Sequence, residues 1–366
     1  MNWPLVKLGD LCVVKRGTTI TQKEAIEGKV PVVSGGLKPT YFHNSSNRNG
    51  NTITVSGSGA SAGFINFYKE PIFASDCSTV EPKNDTVDVS YIYRAMQNLQ
   101  EYIYTKLKAG AAQPHVYAKD LANLEIPFPP LAEQHRIAAL LDTADHIIKQ
   151  RELAIAKLDQ LAQSVFVAMF SNIEHITTLS QVAELKRGPF GGALKKEIFV
   201  KHGPMVYEQR NAIYDDCKNG KYFITEEKFN EMKDFSVIDN DLIVSCSGTL
   251  GKVAKIDKES PRGIINQALL RVRPKKNISS SFLKSAIESV SVQRNLAISS
   301  HGSGLQNFPP MAVVKAVPIP LPSFELQMKF ESIKEEILKK KIDLINSKNN
   351  LENLLKSIQH QSFAVN

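Results

Sequence analysis

Two stretches of this 366-residue chain hold residue types that could do chemistry. Gly57-Ser58-Gly59-Ala60-Ser61-Ala62-Gly63 has the glycine density of a loop that cradles phosphate. A dinucleotide loop opens a helix, whereas the residues that follow, Phe64-Ile65-Asn66-Phe67-Tyr68, read as a strand. A hairpin turn that needs positive φ accounts for these glycines. No G-x-x-x-x-G-K-[ST] occurs anywhere. Asp76, Glu81 and Lys83 resemble a nuclease cluster that would hold Mg²⁺, but Pro82 lies between the key side chains, and Arg273 stands where Glu81 would map in the second half. The eight histidines form no His-Glu-x-x-His, and neither Ser56 nor Ser245 lies in a nucleophile elbow. The Asn-Pro-Pro or Asp-Pro-Pro motif of amino-methyltransferases is missing. Cys12, Cys77, Cys217 and Cys246 lack the paired spacing of a zinc site or disulfide framework and read as reduced thiols.

What remains is charge. The net charge is +8. By segment it is +2 over 1–130, −1 over 131–170, +6 over 171–322 and +1 over 323–366. A basic surplus of this kind favours a polyanionic partner. Uninterrupted apolar runs fall short of the ~20 residues of a membrane span, and Met1-Asn2-Trp3-Pro4-Leu5 lacks the character of a signal peptide. The expectation is a soluble cytoplasmic chain of two or three domains.

The element that must position everything else is Leu131–Phe170. It follows Pro127-Phe128-Pro129-Pro130 and contains no Pro or Gly. Ile137, Leu141, Ala144, Ile148, Ile155, Leu158, Ala162, Val165 and Met169 recur at the three- and four-residue steps of a coiled-coil seam, broken by Arg151. A helix of this length spans roughly 60 Å. Its partner lies 193 residues on: Ile126-Pro127-Phe128-Pro129 returns as Ile319-Pro320-Leu321-Pro322, Gln134 as Gln327, Leu158 as Leu351 and Phe170 as Phe363. Phe330, Ile333, Ile337, Leu344, Leu351, Leu355 and Ile358 supply the second apolar face.

The globes between the rods also echo one another. Leu8-Gly9-Asp10-Leu11 to Lys15-Arg16-Gly17 returns as Leu179-Ser180-Gln181-Val182 to Lys186-Arg187-Gly188, and Val55-Ser56-Gly57-Ser58-Gly59 as Val244-Ser245-Cys246-Ser247-Gly248. Asn51–Val55 and Asp241–Val244 read as strands entering a Ser/Gly turn, with Phe64–Tyr68 and Lys252–Ile256 as return strands. Tyr91–Lys108 and Phe282–Leu296 read as helices. Pro39–Gly50 and Gln209–Gly220 read as long polar loops suited to recognition. The absence of a repeated catalytic constellation in a duplicated chain argues for binding.

Pro129-Pro130-Leu131-Ala132-Glu133-Gln134-His135-Arg136-Ile137, together with Leu8-Gly9-Asp10, resembles the specificity subunit of type I restriction-modification enzymes. The second helix start, Pro322-Ser323-Phe324-Glu325-Leu326-Gln327, keeps part of that pattern. The resemblance covers essentially the whole chain. It implies an α+β fold in which two mixed α/β target-recognition domains alternate with two long helices that pair as an antiparallel coiled coil. The domains would be 1–128, 129–170, 171–322 and 323–363. It implies a non-catalytic DNA-specificity subunit that reads a bipartite, asymmetric site in double-stranded DNA. Two methyltransferase subunits would dock on the rods, joined by restriction (motor-nuclease) subunits. S-adenosylmethionine, ATP and Mg²⁺ would belong to those partners, with no cofactor, metal or catalytic residue in this chain and no membrane partner. Lysines and arginines would neutralise phosphates, and polar side chains would read base edges. The residues expected at DNA are Lys15, Arg16, Lys38, Tyr41, His43, Asn44 and Arg48 in the first globe. In the second they are Lys186, Arg187, Lys195, Lys196, Arg210 and Asn211. Glu133, Gln134, Arg136, Ile137 and Gln327 are expected to dock the methyltransferase partners. The competing readings are a coiled-coil scaffold with protein-binding globes and a Mg²⁺-dependent nuclease.

Overall fold

The structure, a computed structural model, describes residues 3–110, 114–298 and 308–363. Contacts divide the chain into two units, Met1–Leu153 with Ile345–Asn366, and Ala154–Leu344. Each unit therefore holds one globe and half of each long helix.

The first globe runs β1 (Leu5–Lys7), α1 (Leu8–Leu11), β2 (Cys12–Arg16), β3 (Val30–Val33), β4 (Phe42–His43), β5 (Thr52–Ser56), β6 (Ile65–Tyr68), β7 (Phe73–Ala74) and β8 (Cys77–Pro82). There follow α2 (Val89–Asn98), α3 (Gln100–Tyr102) passing into a π turn (Ile103–Leu107), α4 (Ala118–Ala122), β9 (Glu125–Pro127) and the long α5 (Leu131–Phe170). The second globe runs β10 (Ile176–Thr178), α6 (Leu179–Val182), β11 (Ala183–Arg187), β12 (Val200–Tyr207), α7 (Gln209–Tyr214), β13 (Tyr222–Phe223), α8 (Glu226–Glu231), β14 (Leu242–Ser245), β15 (Val253–Lys255), β16 (Gly263–Ile265) and β17 (Leu269–Pro274). It ends with α9 (Ser280–Glu288), α10 (Val290–Ile298), α11 (Met311–Lys315), β18 (Pro318–Pro320) and the long α12 (Phe324–Phe363).

The repeat read from the sequence extends to topology. The main sheets are antiparallel, in the orders β2-β8-β5-β6 and β11-β17-β14-β15. The smaller sheets, β4-β3-β7 and β13-β12-β16, each contain one parallel pair, β3 with β7 and β12 with β16. The antiparallel pairs β1-β9 and β10-β18 close each globe at its base. Main-sheet strands place one face in a core: Cys12, Ile53, Val55 and Val80 in the first globe, and Leu242, Val244, Leu270 and Val272 in the second. Helices α2 and α9 cover those faces with Tyr91, Ile92 and Met96, and with Phe282, Leu283 and Ala286.

The long helices begin where prolines stop a strand. The amides of Glu133 and Gln134 bond Pro130 O, and those of Leu326 and Gln327 bond Ser323 Oγ and O. Within each unit the seam packs onto the globe. Ile137, Ala138 and Leu141 of α5 meet Leu355, Ile358 and Phe363 of α12 in the first core. Phe166 and Phe170 of α5 meet Phe330 of α12 in the second, with ring centroids 5.6 and 5.3 Å apart. The start of α5 thus lies with the end of α12 and vice versa, so the pair is antiparallel. Lys348 Nζ to Glu152 Oε1 (3.0 Å) and Lys341 Nζ to Asp159 Oδ1 (2.6 Å) step seven residues in opposite directions along the two helices.

Three elements differ from the sequence reading. The helix expected over Tyr91–Lys108 is broken at Leu99. Gln100 turns inward there, its Nε2 donating to Gly63 O (2.8 Å) and its Oε1 accepting from the Ile65 amide (3.2 Å). Phe282–Leu296 divides between α9 and α10 at Ser289, whose hydroxyl bonds Ala286 O. Gln209–Gly220, read as a polar loop, opens with α7. Among the described residues α5 is the one helix long and apolar enough to cross a membrane by length and composition. Charged residues such as Asp142, Asp145, Lys149 and Arg151 interrupt its apolar residues, so no unbroken apolar run in it reaches the ~20 residues of a span.

Candidate nucleic-acid interface

The repeated Lys-Arg pair ends the first strand of each main sheet. Lys15 lies opposite Thr79 and Arg16 opposite Ser78, while Ser56 lies opposite Cys77. Arg16 and the Ser/Gly hairpin therefore converge on one end of the sheet. In the second globe Lys186 lies opposite Arg271, Arg187 opposite Leu270, and Ser245 opposite Leu269. The glycine after each pair is required by close approach. A Cβ at Gly17 would fall 2.2 Å from Ser75 O, and one at Gly188 would fall 1.8 Å from Asn266 O.

In the first globe Arg16 is exposed, with its Nη2 3.7 Å from Asp76 Oδ1. Asp76 also accepts from the Ser58 hydroxyl. Lys15 borders an open polar hollow of about 310 Å³ with Ser46, Asn47, Arg48, Asn49 and Glu81. Arg48 is spent inside the globe. Its Nε donates to Thr79 Oγ1 (2.9 Å) and lies 3.1 Å from Glu81 Oε1, and its other nitrogens bond Asn47 O and Arg16 O. Tyr41 donates its hydroxyl to Ile20 O (2.6 Å). His43 is buried edge-on against Phe73, its Nδ1 accepting from the Ile26 amide (3.0 Å). These three side chains hold the loops, and of the expected set Lys15, Arg16, Lys38 and Asn44 are the exposed ones. The nuclease triplet is not assembled for metal: Asp76 faces Arg16, Glu81 faces Arg48, and Lys83 Nζ donates to Gly9 O.

In the second globe Lys186 Nζ lies 4.9 Å from the Phe235 ring centroid and 3.5 Å from Asp234 Oδ2. The Arg187 guanidinium lies 5.1 Å from the Phe308 centroid. Where the first globe has Asp76 just before β8, the second has Ala268 just before β17, so Arg187 lacks the matching carboxylate. Lys186 and Arg187 line an open groove of about 330 Å³ with Phe190, Phe235, Met311 and Lys315. Phe190 is 78% exposed, which is rare for phenylalanine. The sequence reading passed over it, although Lys186-Arg187-Gly188-Pro189-Phe190 sets an aromatic beside the basic pair. Lys195, Lys196 and Arg210 are exposed. Asn211 corrects the expectation: it is buried, its Oδ1 accepting from the Glu208 amide (2.8 Å) and its Nδ2 donating to Asp216 O (2.7 Å) and Asn219 O (2.8 Å). A polar loop residue can look free in sequence and still be the post that a turn is tied to.

The docking set divides as well. Glu133 and Arg136 pair on the surface, Nε to Oε2 2.8 Å, and the guanidinium hydrogen bond holds the Glu133 carboxyl below its ordinary pKa. Ile137 lies in the first core. Gln134 and Gln327 are buried at the foot of their globes. These three present no side chain to a partner, because their contacts are satisfied inside their own unit.

The two Lys-Arg ends offer cations, and in the second globe aromatic faces too, to a polyanion with a stackable or apolar component. Residues 1–157 and 174–353 match the family described as type I restriction modification DNA specificity domain. The type I restriction enzyme MjaVIII specificity subunit of Methanocaldococcus jannaschii is 26% identical over 234 residues, which is 61% of this chain and 51% of that protein. The chain thus spans about half the length of that relative. A protein of Mycoplasma pneumoniae named as a type I specificity subunit is 24% identical over 333 residues, 88% of this chain and 85% of its own. The crystal structure of a type I restriction-modification S subunit from M. genitalium covers 100% of this chain and 97% of its own at a TM-score of 0.65 and 20% identity, a likeness of fold. The chain belongs to the type I restriction modification DNA specificity domain family.

Proposed function

We propose that this chain is a non-catalytic DNA-reading subunit of a type I restriction-modification complex. Each globe reads one half of an interrupted, asymmetric site, and the paired helices hold the half-sites apart. The observation that carries this is the repeat with its differences. The frame is duplicated strand for strand, yet the hollow beside Lys15 is lined by polar side chains, and the groove beside Lys186 and Arg187 adds the apolar Phe190, Phe235 and Met311. Two unlike surfaces on one frame suit two unlike half-sites. The duplex advances about 34–36 Å per turn, a scale that a helical spacer of tens of ångströms can match.

Two methyltransferase subunits dock on the helices and bring S-adenosylmethionine; restriction subunits bring ATP and Mg²⁺. Exposed Leu140, Leu153, Leu161 and Val167 on α5, and Met328, Leu338, Ile342 and Leu354 on α12, support that docking. Apolar side chains along a helix surface are the usual material of a partner contact. Glu133 and Arg136 pair in the first two turns of α5. We place the assembly in the cytoplasm with its DNA.

Exchange of residues 1–128 for the first globe of another family member, followed by methylome sequencing, tests this reading. The expected result is one altered half-site and one unchanged. A single contiguous protected site in a footprint with the methyltransferase present would overturn it. Indifference to every DNA under those conditions would favour a protein-binding scaffold.

A further inference from the structure

Gln134 is fully buried, and both ends of its amide are used. Oε1 accepts from the Asp88 amide (2.9 Å), and Nε2 donates to Pro129 O (2.9 Å) and Thr86 O (3.2 Å). Asp88 is the N-cap of α2, its carboxylate accepting from the Tyr91 amide. Gln327 repeats the arrangement at 1% exposure. Its Oε1 accepts from the Ser279 amide (2.9 Å), and its Nε2 donates to Pro322 O (3.0 Å). Ser279 is the N-cap of α9, its hydroxyl accepting from the Phe282 amide.

In each unit, then, one side chain joins the cap of the globe's covering helix to the proline carbonyl just ahead of the long helix. The first joint is made of Pro127-Phe128-Pro129-Pro130, where three of four residues have no amide hydrogen to give. The backbone amides of Phe128 and Leu321 bond Pro4 O (2.9 Å) and His175 O (2.8 Å), and the glutamine adds a donor to the proline carbonyl that follows in each joint. A buried amide left unbonded costs about 1–3 kcal/mol per group, so its partners are held to one geometry. The remaining ties differ between units. Arg94 bonds Asp142 and Asp145 in the first, whereas Ser279 and Ser281 donate to Glu331 (2.8 and 2.9 Å) in the second. The glutamine is the side-chain hydrogen-bond tie they share.

We propose that Gln134 and Gln327 are positioning residues that set the angle of each globe on its long helix, and thereby the gap length that the two half-sites must have. The gap-length part rests on the DNA reading above; the angular part does not. In the full chain, nitroxides on Lys69→Cys in the first globe and Leu140→Cys on α5 report the angle as a distance distribution. Gln134→Ala is expected to broaden it. Gln134→Glu is expected to do the same with little loss of packing, because a carboxylate accepts from Asp88 but cannot donate to Pro129 and Thr86. On DNA, with the methyltransferase present, the preference for the fitting gap over a gap one base pair longer or shorter is expected to fall roughly tenfold, with base preference within each half-site unchanged. An unbroadened distribution in either folded variant overturns the proposal. So does an equal loss of affinity at every gap length, or outright unfolding of both variants, which would make the amide structural only. If the unsubstituted protein shows no gap preference at all, the DNA reading fails, and the label widths still decide whether the glutamine sets the angle.

Discussion

Arg94 of α2 reaches α5 through two carboxylates: its Nε donates to Asp142 Oδ1 at 2.9 Å, and its Nη1 pairs with Asp145 Oδ2. The arginine side chain is 7% exposed, whereas Asp142 is 53% exposed. Burial works against the guanidinium charge, and the two carboxylates more than restore it, so its pKa lies above the ordinary arginine value. The asymmetry of burial predicts an asymmetry of mutation. Arg94→Ala leaves two carboxylates that water can reach, and is expected to cost about 1–2 kcal/mol. Asp142→Ala with Asp145→Ala leaves a buried cation unpaired, and is expected to cost about 3–5 kcal/mol. Urea unfolding midpoints measure both; equal losses would mean that the ion pair is not what ties α2 to α5.

Asn211 gives a second test. Its amide serves two carbonyls of the turn after α7 and the amide of Glu208. Asn211→Ala is expected to destabilise the second unit by about 1–2 kcal/mol, since the Asp216 and Asn219 carbonyls and the Glu208 amide lose the partner that buried Asn211 gives them. DNA affinity per folded molecule should hold. A variant of normal stability with weakened DNA binding would return Asn211 to the interface.

These residues also mark the limits of a sequence reading. Repetition of a proline-led helix start is legible because Pro127 and Pro320 each end a strand and neither long helix contains a proline or glycine. The Lys-Arg-Gly repeat is legible too, since Gly17 and Gly188 leave no room for a side chain. What cannot be read is the direction a polar side chain takes. Gln134, Asn211 and Arg48 have the composition of a surface, and each is turned inward: Gln134 by Asp88 and Arg48 by Thr79, both far along the chain, and Asn211 by the nearby Glu208, Asp216 and Asn219. Phe190 is the reverse case, an apolar residue that no core claims. The break at Leu99 depends on Gln100 finding Gly63 and Ile65, a tertiary contact that no local propensity encodes.

The thiols make a prediction about pH. Burial pushes Cys12, Cys77, Cys217 and Cys246 from 9.0 up to about 12. That cuts the thiolate fraction at neutral pH by roughly a thousandfold, so alkylation by iodoacetamide is expected only on unfolding. Below pH 9 both states keep the proton. Between pH 9 and about 12 the unfolded chain loses it while the folded chain holds it, so stability falls as pH rises. Cys246→Ala should show a shallower alkaline decline in urea midpoint than the unsubstituted protein. Parallel declines would show that the Cys246 thiol ionises alike in both states.

Arg16 and Arg187 occupy matching ends of matching strands but face different neighbours. Asp76 draws on the charge of Arg16, and no carboxylate stands at the corresponding place beside Arg187. If both bind phosphate, each lost contact lowers the dependence of log affinity on log salt by about 0.9. Lys15→Ala with Arg16→Ala, and Lys186→Ala with Arg187→Ala, should each flatten that slope without changing the bases preferred. Each pair holds one cation beside a carboxylate, Arg16 with Asp76 and Lys186 with Asp234, so the two double variants are expected to lose similar affinity, whereas Arg187→Ala alone is expected to lose more than Arg16→Ala. Asp76→Ala should then raise affinity for any sequence, most at low salt, where an unscreened cation acts furthest. Titration of labelled duplexes at several salt concentrations reads all three. An unchanged slope in both double variants would remove the Lys-Arg ends from the interface and leave Lys195, Lys196, Arg210 and Lys315 as the cations to test in the second globe.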